Sequence, residues 1–215
     1  PQVMTNHAEE FLRIAQVLFK EYGYQEINLN LGCPSKTVVS KKRGSGFLTV
    51  PCQLECFLET VCSALALDGI KLSVKTRLGK EKPEEFARLL EIFKRFPLSE
   101  LIVHPRVQAD FYSNTPNWEA FSWAYQATEG VGWELCYNGN IFGWTGFASL
   151  CKAFPGLRAV MMGRGLLVNP RLAKELKKLR EDGGSKEMAV GAANLSRFLD
   201  EKEEQEERKR RYEMY

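Results

Sequence analysis

Short apolar runs alternate with amphipathic stretches along most of the chain, which is the pattern of repeated strand and helix units around a parallel sheet. Val3 and Met4 read as the end of a strand. Asn6 stands where it would cap a helix from His7 to Glu21, with Glu9 three positions on in the manner of a capping box. Phe11, Ile14, Ala15, Leu18 and Phe19 make that helix's apolar face. After a turn at Gly23, Glu26 to Asn30 predicts a strand, Pro51 opens a helix to about Ala66, and Lys71 to Thr76 predicts the next strand. Pro83 opens a helix to Phe96, Leu101 to Val103 is a strand, Trp118 to Thr128 a helix and Trp133 to Tyr137 a strand. Trp144 to Ala153 is a helix, Arg158 to Met162 a strand, and a final helix starts near Pro170.

Six strands, each followed by a helix and none joined by a hairpin signal, fit either a doubly wound sheet or a (β/α) barrel. A barrel assembles its site from the carboxyl ends of many strands, whereas a doubly wound sheet concentrates it at one switch point. Here polar residues follow nearly every strand: Asn30 and Cys33, Lys75 and Arg77, His104 and Arg106, Asn138 and Asn140, Gly163 and Arg164. The expected fold is therefore α/β, a TIM (β/α)8-type barrel. A complete barrel has eight units and roughly 250 residues, so the chain is expected to lack the first two strand-helix units, Pro1 to Thr5 already reading as the inside of an element. An unclosed barrel exposes strand edges. The expected organisation is a partial barrel over residues 1–175 and a charged helical tail over 176–215. Within that tail an acidic block leads into Arg208, Lys209, Arg210 and Arg211, read as a solvated helix face, with a phosphate-contacting tail as the sharper alternative.

With 44% hydrophobic and 27% charged residues, the 215-residue chain can bury one sizeable core, which excludes a disordered tail or a collagen-like repeat. No apolar run approaches the eighteen or so residues that span a bilayer, and no signal pattern opens the chain, so the expected location is the cytoplasm. A net charge of +3 is too small by itself to argue for a nucleic-acid partner. The six cysteines, at 33, 52, 56, 62, 136 and 151, lack paired metal-ligand spacing and read as reduced thiols, with no metal expected. The sequence sets no oligomeric state.

The most informative stretch is Ile27 to Leu48, INLNLGCPSKTVVSKKRGSGFL. A strand delivers Asn28 and Asn30, a tight turn at Gly32 exposes Cys33, Pro34 directs the exit, and a long loop rich in Lys and Gly follows. On these residues alone Cys33 is either a plain turn residue or a thiol placed where barrel chemistry occurs, as a nucleophile or a general acid. The segment resembles the signature of tRNA-dihydrouridine synthases, flavin-dependent enzymes whose pattern reads NxGCP followed by a basic loop and GxG. The resemblance continues in order through VKTRLG at Val74 to Gly79, VHPR at Val103 to Arg106, YNGNI at Tyr137 to Ile141 and VMMGRGLLVNP at Val160 to Pro170, covering about residues 1–175. GCPSKTV and NGNIFGW look most like the bacterial subgroup that modifies the uridine at tRNA position sixteen.

The resemblance implies an FMN that gives hydride to uracil C6 while Cys33 protonates C5 from the opposite face. NADPH or NADH would reduce the flavin in the same cleft, since no nicotinamide fingerprint is visible. Carried over by motif, Asn30 orients uracil or flavin, Gln2 matches a flavin-contacting glutamine, and Lys75 lies near the pyrimidine edge of the flavin, where its charge would stabilise the anionic reduced ring. The plain alternative for Lys75 is a strand-end salt bridge. His104 and Arg106 match the family's HGR, as a flavin contact and a substrate contact, but Pro105 replaces the glycine, removing an amide donor and forbidding positive φ. Asn138, Gly139 and Asn140 with Gly163 and Arg164 resemble the FMN phosphate site, where glycine lets backbone amides approach an anion. The implied partner is tRNA, whose target base must be extruded to reach a flavin. Lys36 would contact this substrate, and Lys36, Lys41, Lys42 and Arg43, flanking the cysteine loop, read either as phosphate contacts or as solvated cations. On this resemblance the chain is expected to lack the family's first strand and loop and, with only residues 176–215 after the barrel, the complete helical domain. Two other readings stand beside it, a non-catalytic RNA-binding remnant that no longer holds FMN and a flavin barrel acting on a free pyrimidine.

Overall fold

Alternation along β2 (Glu26–Leu31) shows how the sheet is built. Ile27, Leu29 and Leu31 are fully buried on one face, while Asn28 and Asn30 point to the other and are half-buried. β3 (Lys71–Arg77) repeats the scheme with Leu72, Val74 and Thr76 against Ser73, Lys75 and Arg77, and β4 (Glu100–His104) with Leu101 and Val103 against Ile102 and His104. In this computed structural model, which describes residues 1–181, these strands join β1 (Gln2–Val3), β5 (Glu134–Tyr137) and β6 (Ala159–Val160) in one parallel sheet. The strand order is β1-β2-β3-β4-β5-β6. A doubly wound sheet reverses its order at a switch point; this one does not, so the fold is the barrel type, with six of the strands of a complete barrel described. Register sets Asn30 beside Lys75, Lys75 beside Ile102, Ile102 beside Cys136 and Cys136 beside Ala159, a single row across one face. Among the described residues β1 and β6 each pair on one side only.

The described residues form two compact units. The first, Pro1–Gly139 with Gly156–Met161, holds all six strands together with α1 (Ala8–Tyr22), α2 (Lys36–Val39), α3 (Pro51–Leu67), α4 (Glu85–Phe93) and α5 (Trp118–Ala127). Its helical layer is tied by aromatic edges: Phe57 of α3 meets Phe11 of α1 at 5.8 Å and Phe47 at 5.5 Å between ring centroids. The second unit, Asn140–Pro155 with the described residues from Met162 on, holds α6 (Trp144–Ala153), α7 (Arg164–Val168) and α8 (Leu172–Glu181). It buries Leu150, Leu172, Leu176 and Leu179. Gly165 lies so close to the Ile141 carbonyl that an added Cβ would sit 2.1 Å from its oxygen.

Three local expectations are corrected. α1 starts at Ala8 with His7 at its cap, and no side chain caps it. Asn6 instead donates to the Lys41 carbonyl (3.2 Å) and accepts from Arg43 Nε (3.3 Å), while Glu10, not Glu9, takes the Thr5 hydroxyl and Arg43 Nη2 (3.2 Å). Partners from a distant loop thus displace the local capping box. α4 starts at Glu85 rather than Pro83, because the Glu85 carboxylate accepts the amides of Lys80, Glu81 and Lys82 at 2.8, 2.9 and 2.8 Å and holds the preceding residues in a turn. The stretch after Cys33 is no plain loop: it contains α2 and a 3-10 helix, Gly44–Thr49, whose Phe47 and Leu48 enter the core. The expected basic tail and most of the segment 176–215 lie outside the described residues.

Among the described residues no helix is long and apolar enough to cross a membrane, and all six cysteines are free thiols. Because Phe57 is 4% exposed and bridges α1 to the 3-10 helix, Phe57→Ala is expected to lower unfolding free energy by about 3–5 kcal/mol in a denaturant titration, from lost transfer energy plus a cavity.

Candidate active site

The cysteine turn is built by an asparagine. Asn30 Oδ1 accepts the amides of Gly32 (2.9 Å) and Cys33 (3.0 Å), bending the chain as it leaves β2. Asn30 Nδ2 donates to Gln2 Oε1 (2.7 Å), Gln2 Nε2 to Asn28 Oδ1 (2.6 Å) and Asn28 Nδ2 to Ser73 Oγ (3.0 Å). An amide chain therefore runs across β1, β2 and β3, and Cys33 stands half-buried at its end. Behind it, Gly44 adopts φ +54°, and a Cβ there would lie 2.7 Å from the Cys33 carbonyl oxygen. Only glycine meets both demands.

Beside Asn30 in the sheet, Lys75 is pushed down to about 8, mainly by burial and secondarily by the Arg77 charge. Its Nζ lies 3.8 Å from where a Gly32 side chain would begin. No carboxylate pairs with it among the described residues, so the strand-end salt bridge is not formed there. Two residues on, Arg77 is 1% exposed, donates Nε to the Gly32 carbonyl and Nη1 to the Val107 carbonyl at 2.9 Å each, and packs its guanidinium 5.3 Å from the Tyr112 ring centre.

His104, across from Arg77 on β4, bonds through Nδ1 to the Asn138 carbonyl, and Arg106 Nη1 lies 3.3 Å from its Nε2. A guanidinium only donates, so Nε2 accepts and Nδ1 carries the hydrogen. Burial pushes His104 down to about 3, leaving the imidazole neutral. Proline at 105 is accommodated because the Arg106 amide closes a tight turn onto the His104 carbonyl (2.7 Å), a conformation that needs negative φ at the centre. The Pro105 carbonyl accepts from the Asn117 amide (2.7 Å). Arg106 is itself buried and donates Nε to the Asn114 carbonyl. Asn138 donates its amide to Val103 (2.9 Å) and Nδ2 to Met161 (2.9 Å), joining the ends of β4, β5 and β6.

The first unit thus carries Asn30, Cys33, Lys75, His104, Arg106 and Asn138 near or just past the carboxyl ends of its strands, with Gln2 of β1 bonded to Asn28 and Asn30. Gly139 is explained by packing, since a Cβ would lie 2.1 Å from the Tyr137 hydroxyl oxygen. In the second unit Arg164 donates Nη2 to Asn140 and lies over the Phe142 ring, while Gly163 precedes α7. Lys36, Lys41 and Lys42 are exposed, but Arg43 is held by Glu10 and Asn6 rather than offered to a phosphate.

Residues 1–213 match the family described as dihydrouridine synthase (Dus). The chain belongs to the dihydrouridine synthase family. It is 29% identical to a tRNA-dihydrouridine(16) synthase of Neisseria meningitidis serogroup B, over 83% of this chain and 51% of that protein. It is 30% identical to the enzyme of that name in Pseudomonas syringae pv. tomato (73% and 48%) and 28% identical to that of Pasteurella multocida (82% and 55%). The chain spans about half the length of these curated relatives.

The sequence places Arg77 among the polar strand ends without a site role, although Ser73, Lys75 and Arg77 alternate on one strand face and so announce a shared polar side. Tyr112 carried no such signal, because its contacts depend on a loop path. Since the folded-state pKa of Lys75 lies at about 8 against an ordinary 10.5, the unfolded chain binds more protons between these values. Stability is therefore penalised below pH 8 and rises as pH climbs toward 10.5. Denaturant titrations are expected to show a gain of order 3 kcal/mol over that window in the wild type relative to Lys75→Met.

Proposed function

We propose that this chain forms the flavin- and uracil-binding part of an enzyme that reduces a uridine of tRNA to 5,6-dihydrouridine, with position sixteen favoured by the relatives. The observation that carries the reading is Lys75: a buried cation with no carboxylate partner among the described residues, next to the turn that presents Cys33. A buried charge without a counter-ion is costly, so such a site favours an anionic or electron-rich heterocycle. The donors present fit FMN: Lys75 would stabilise its electron-rich ring by charge, and Gln2 and His104 would be further contacts. FMN, once reduced by NADPH or NADH, supplies the hydride that adds to uracil C6.

The chain's own residues supply the rest. Cys33 Sγ–H delivers the proton to C5, so hydride plus proton saturate the C5–C6 double bond. The thiolate left behind is stabilised by the cations Lys75 and Arg77 until solvent reprotonates it. His104 is excluded as the acid because its one N–H is committed to Asn138 and its imidazolium does not form near neutral pH. Arg106, beside His104, is the substrate contact that the family motif implies, Arg77 ties the Gly32 and Val107 carbonyls together, and Asn30 holds the cysteine turn in shape. Lys36 at the start of α2 and Lys41 and Lys42 just after it are exposed, where tRNA phosphates would meet them.

The test begins with FMN added to the purified chain, excess removed and the visible spectrum recorded, followed by mass spectrometry of an unmodified tRNA incubated with the loaded protein and NADPH. Retained flavin and dihydrouridine are expected. Cys33→Ala is expected to keep the flavin and slow dihydrouridine formation by about 100-fold or more. Unimpaired turnover in that variant would remove Cys33 from the mechanism. A folded, colourless chain that still binds tRNA in a salt-dependent way would favour the non-catalytic reading.

A further inference from the structure

We infer that Ser45 and Gln108 are positioning residues that set where the Cys33 thiol stands. The inference rests on Cys33 being the proton donor, but the observations behind it are separate. The Cys33 carbonyl accepts twice from one residue, from the Ser45 amide at 3.0 Å and from the Ser45 hydroxyl at 2.8 Å. Ser45 is fully buried, so water does not compete for either bond. Gly44 passes so close that a Cβ there would be 3.0 Å from the Cys33 Cβ. The cysteine is therefore backed by the 44–45 peptide and held at its carbonyl.

The same Ser45 hydroxyl lies 3.2 Å from the Gln108 side-chain amide. A hydroxyl has one hydrogen and cannot donate to both the Cys33 carbonyl and an amide oxygen. With the Gln108 amide turned so that Nε2 faces Ser45, both contacts are satisfied: Gln108 donates to Ser45 Oγ, and Ser45 donates to Cys33. Gln108 is anchored in turn by its own amide, which donates to the Gly79 carbonyl at 2.8 Å. A relay from Gly79 through Gln108 and Ser45 to Cys33 thus links the segments that follow β3, β4 and β2. It shares no residue with the Arg77 tie between Gly32 and Val107. Buried polar relays hold best when every member is paired, so loss of either side chain loosens the cysteine, leaving its carbonyl with the Ser45 amide alone. Neither residue touches the reacting atoms; both act through the placement of Sγ.

The decisive measurement is iodoacetamide alkylation of the full chain, read peptide by peptide, with the exposed Cys52 and Cys56 of α3 as references in the same digest. Ser45→Ala is expected to raise the Cys33 rate by about fivefold, the ratio carried by one net hydrogen bond, with both references unchanged. Gln108→Glu keeps the shape but not the N–H donor, and is expected to behave like Ser45→Ala. It also serves if Ser45→Ala fails to fold, which would show as faster alkylation at every cysteine. In FMN-loaded protein both variants should lower kcat for dihydrouridine formation by a similar factor and leave KM for tRNA unchanged. Cys33 alkylation that tracks the wild type in both variants overturns the inference. A wild type that forms no dihydrouridine defeats the catalytic reading, and the alkylation rates still decide whether Ser45 and Gln108 position the thiol.

Discussion

The guanidinium of Arg77 is the cation on which the arrangement of the site depends. It is 1% exposed, and burying a charge costs several kcal/mol unless its donors are met. Arg77 ends β3, and its donors reach the Gly32 carbonyl in the turn after β2 and the Val107 carbonyl in the segment after β4. Both carbonyls must therefore converge on it, with Tyr112 laid across its face. Those two segments also carry Cys33 and follow His104, so the requirement to satisfy one buried cation assembles the surroundings of the thiol. Parallel register makes this feasible by setting Arg77 beside His104.

Cations outnumber acids around this centre. Lys75, Arg77 and Arg106 lie there, and the acid that acts on Arg77, Asp110, is committed to the Val107 amide (2.9 Å) and the Asn114 side chain. His104 would add a further cation if burial and its neighbours did not keep it neutral. In a low-dielectric pocket this imbalance acts strongly on any electron-rich ring or developing negative charge. It also explains why the polar face of β2 and β3 departs from the continuous hydrophobic run usual in parallel strands buried on both sides. Core stability rests instead on the opposite face, where Ile27, Leu29, Leu31, Leu72 and Val74 are buried.

Much of this was legible in the chain alone. Two-residue alternation marked β2 and β3 nearly to their ends, and Pro51 marked the first turn of α3. The polar residues after successive strands favoured a barrel over a doubly wound sheet, yet local pattern carries no record of strand order, and only the pairing of each strand with its chain neighbour decided the matter. Asn6 and Arg43 show the limit most plainly. Local chemistry made one a helix cap and the other a free phosphate contact; in the fold they bond to each other across 37 positions.

What the sequence determined by itself is therefore the alternation of strand and helix, the polar face of each strand, and the residues Asn30, Cys33, Lys75, His104 and Asn138 as the chemical ends of those strands. Tertiary structure alone decided that Lys75 has no carboxylate partner among the described residues, that His104 is neutral with its hydrogen on Nδ1, and that Ser45 and Gln108 stand behind the thiol. The physical reason is range. Periodicity and capping act over a few residues and leave a trace in composition, whereas a hydrogen bond between residues 63 positions apart exists only once register and loop path have brought its two ends together.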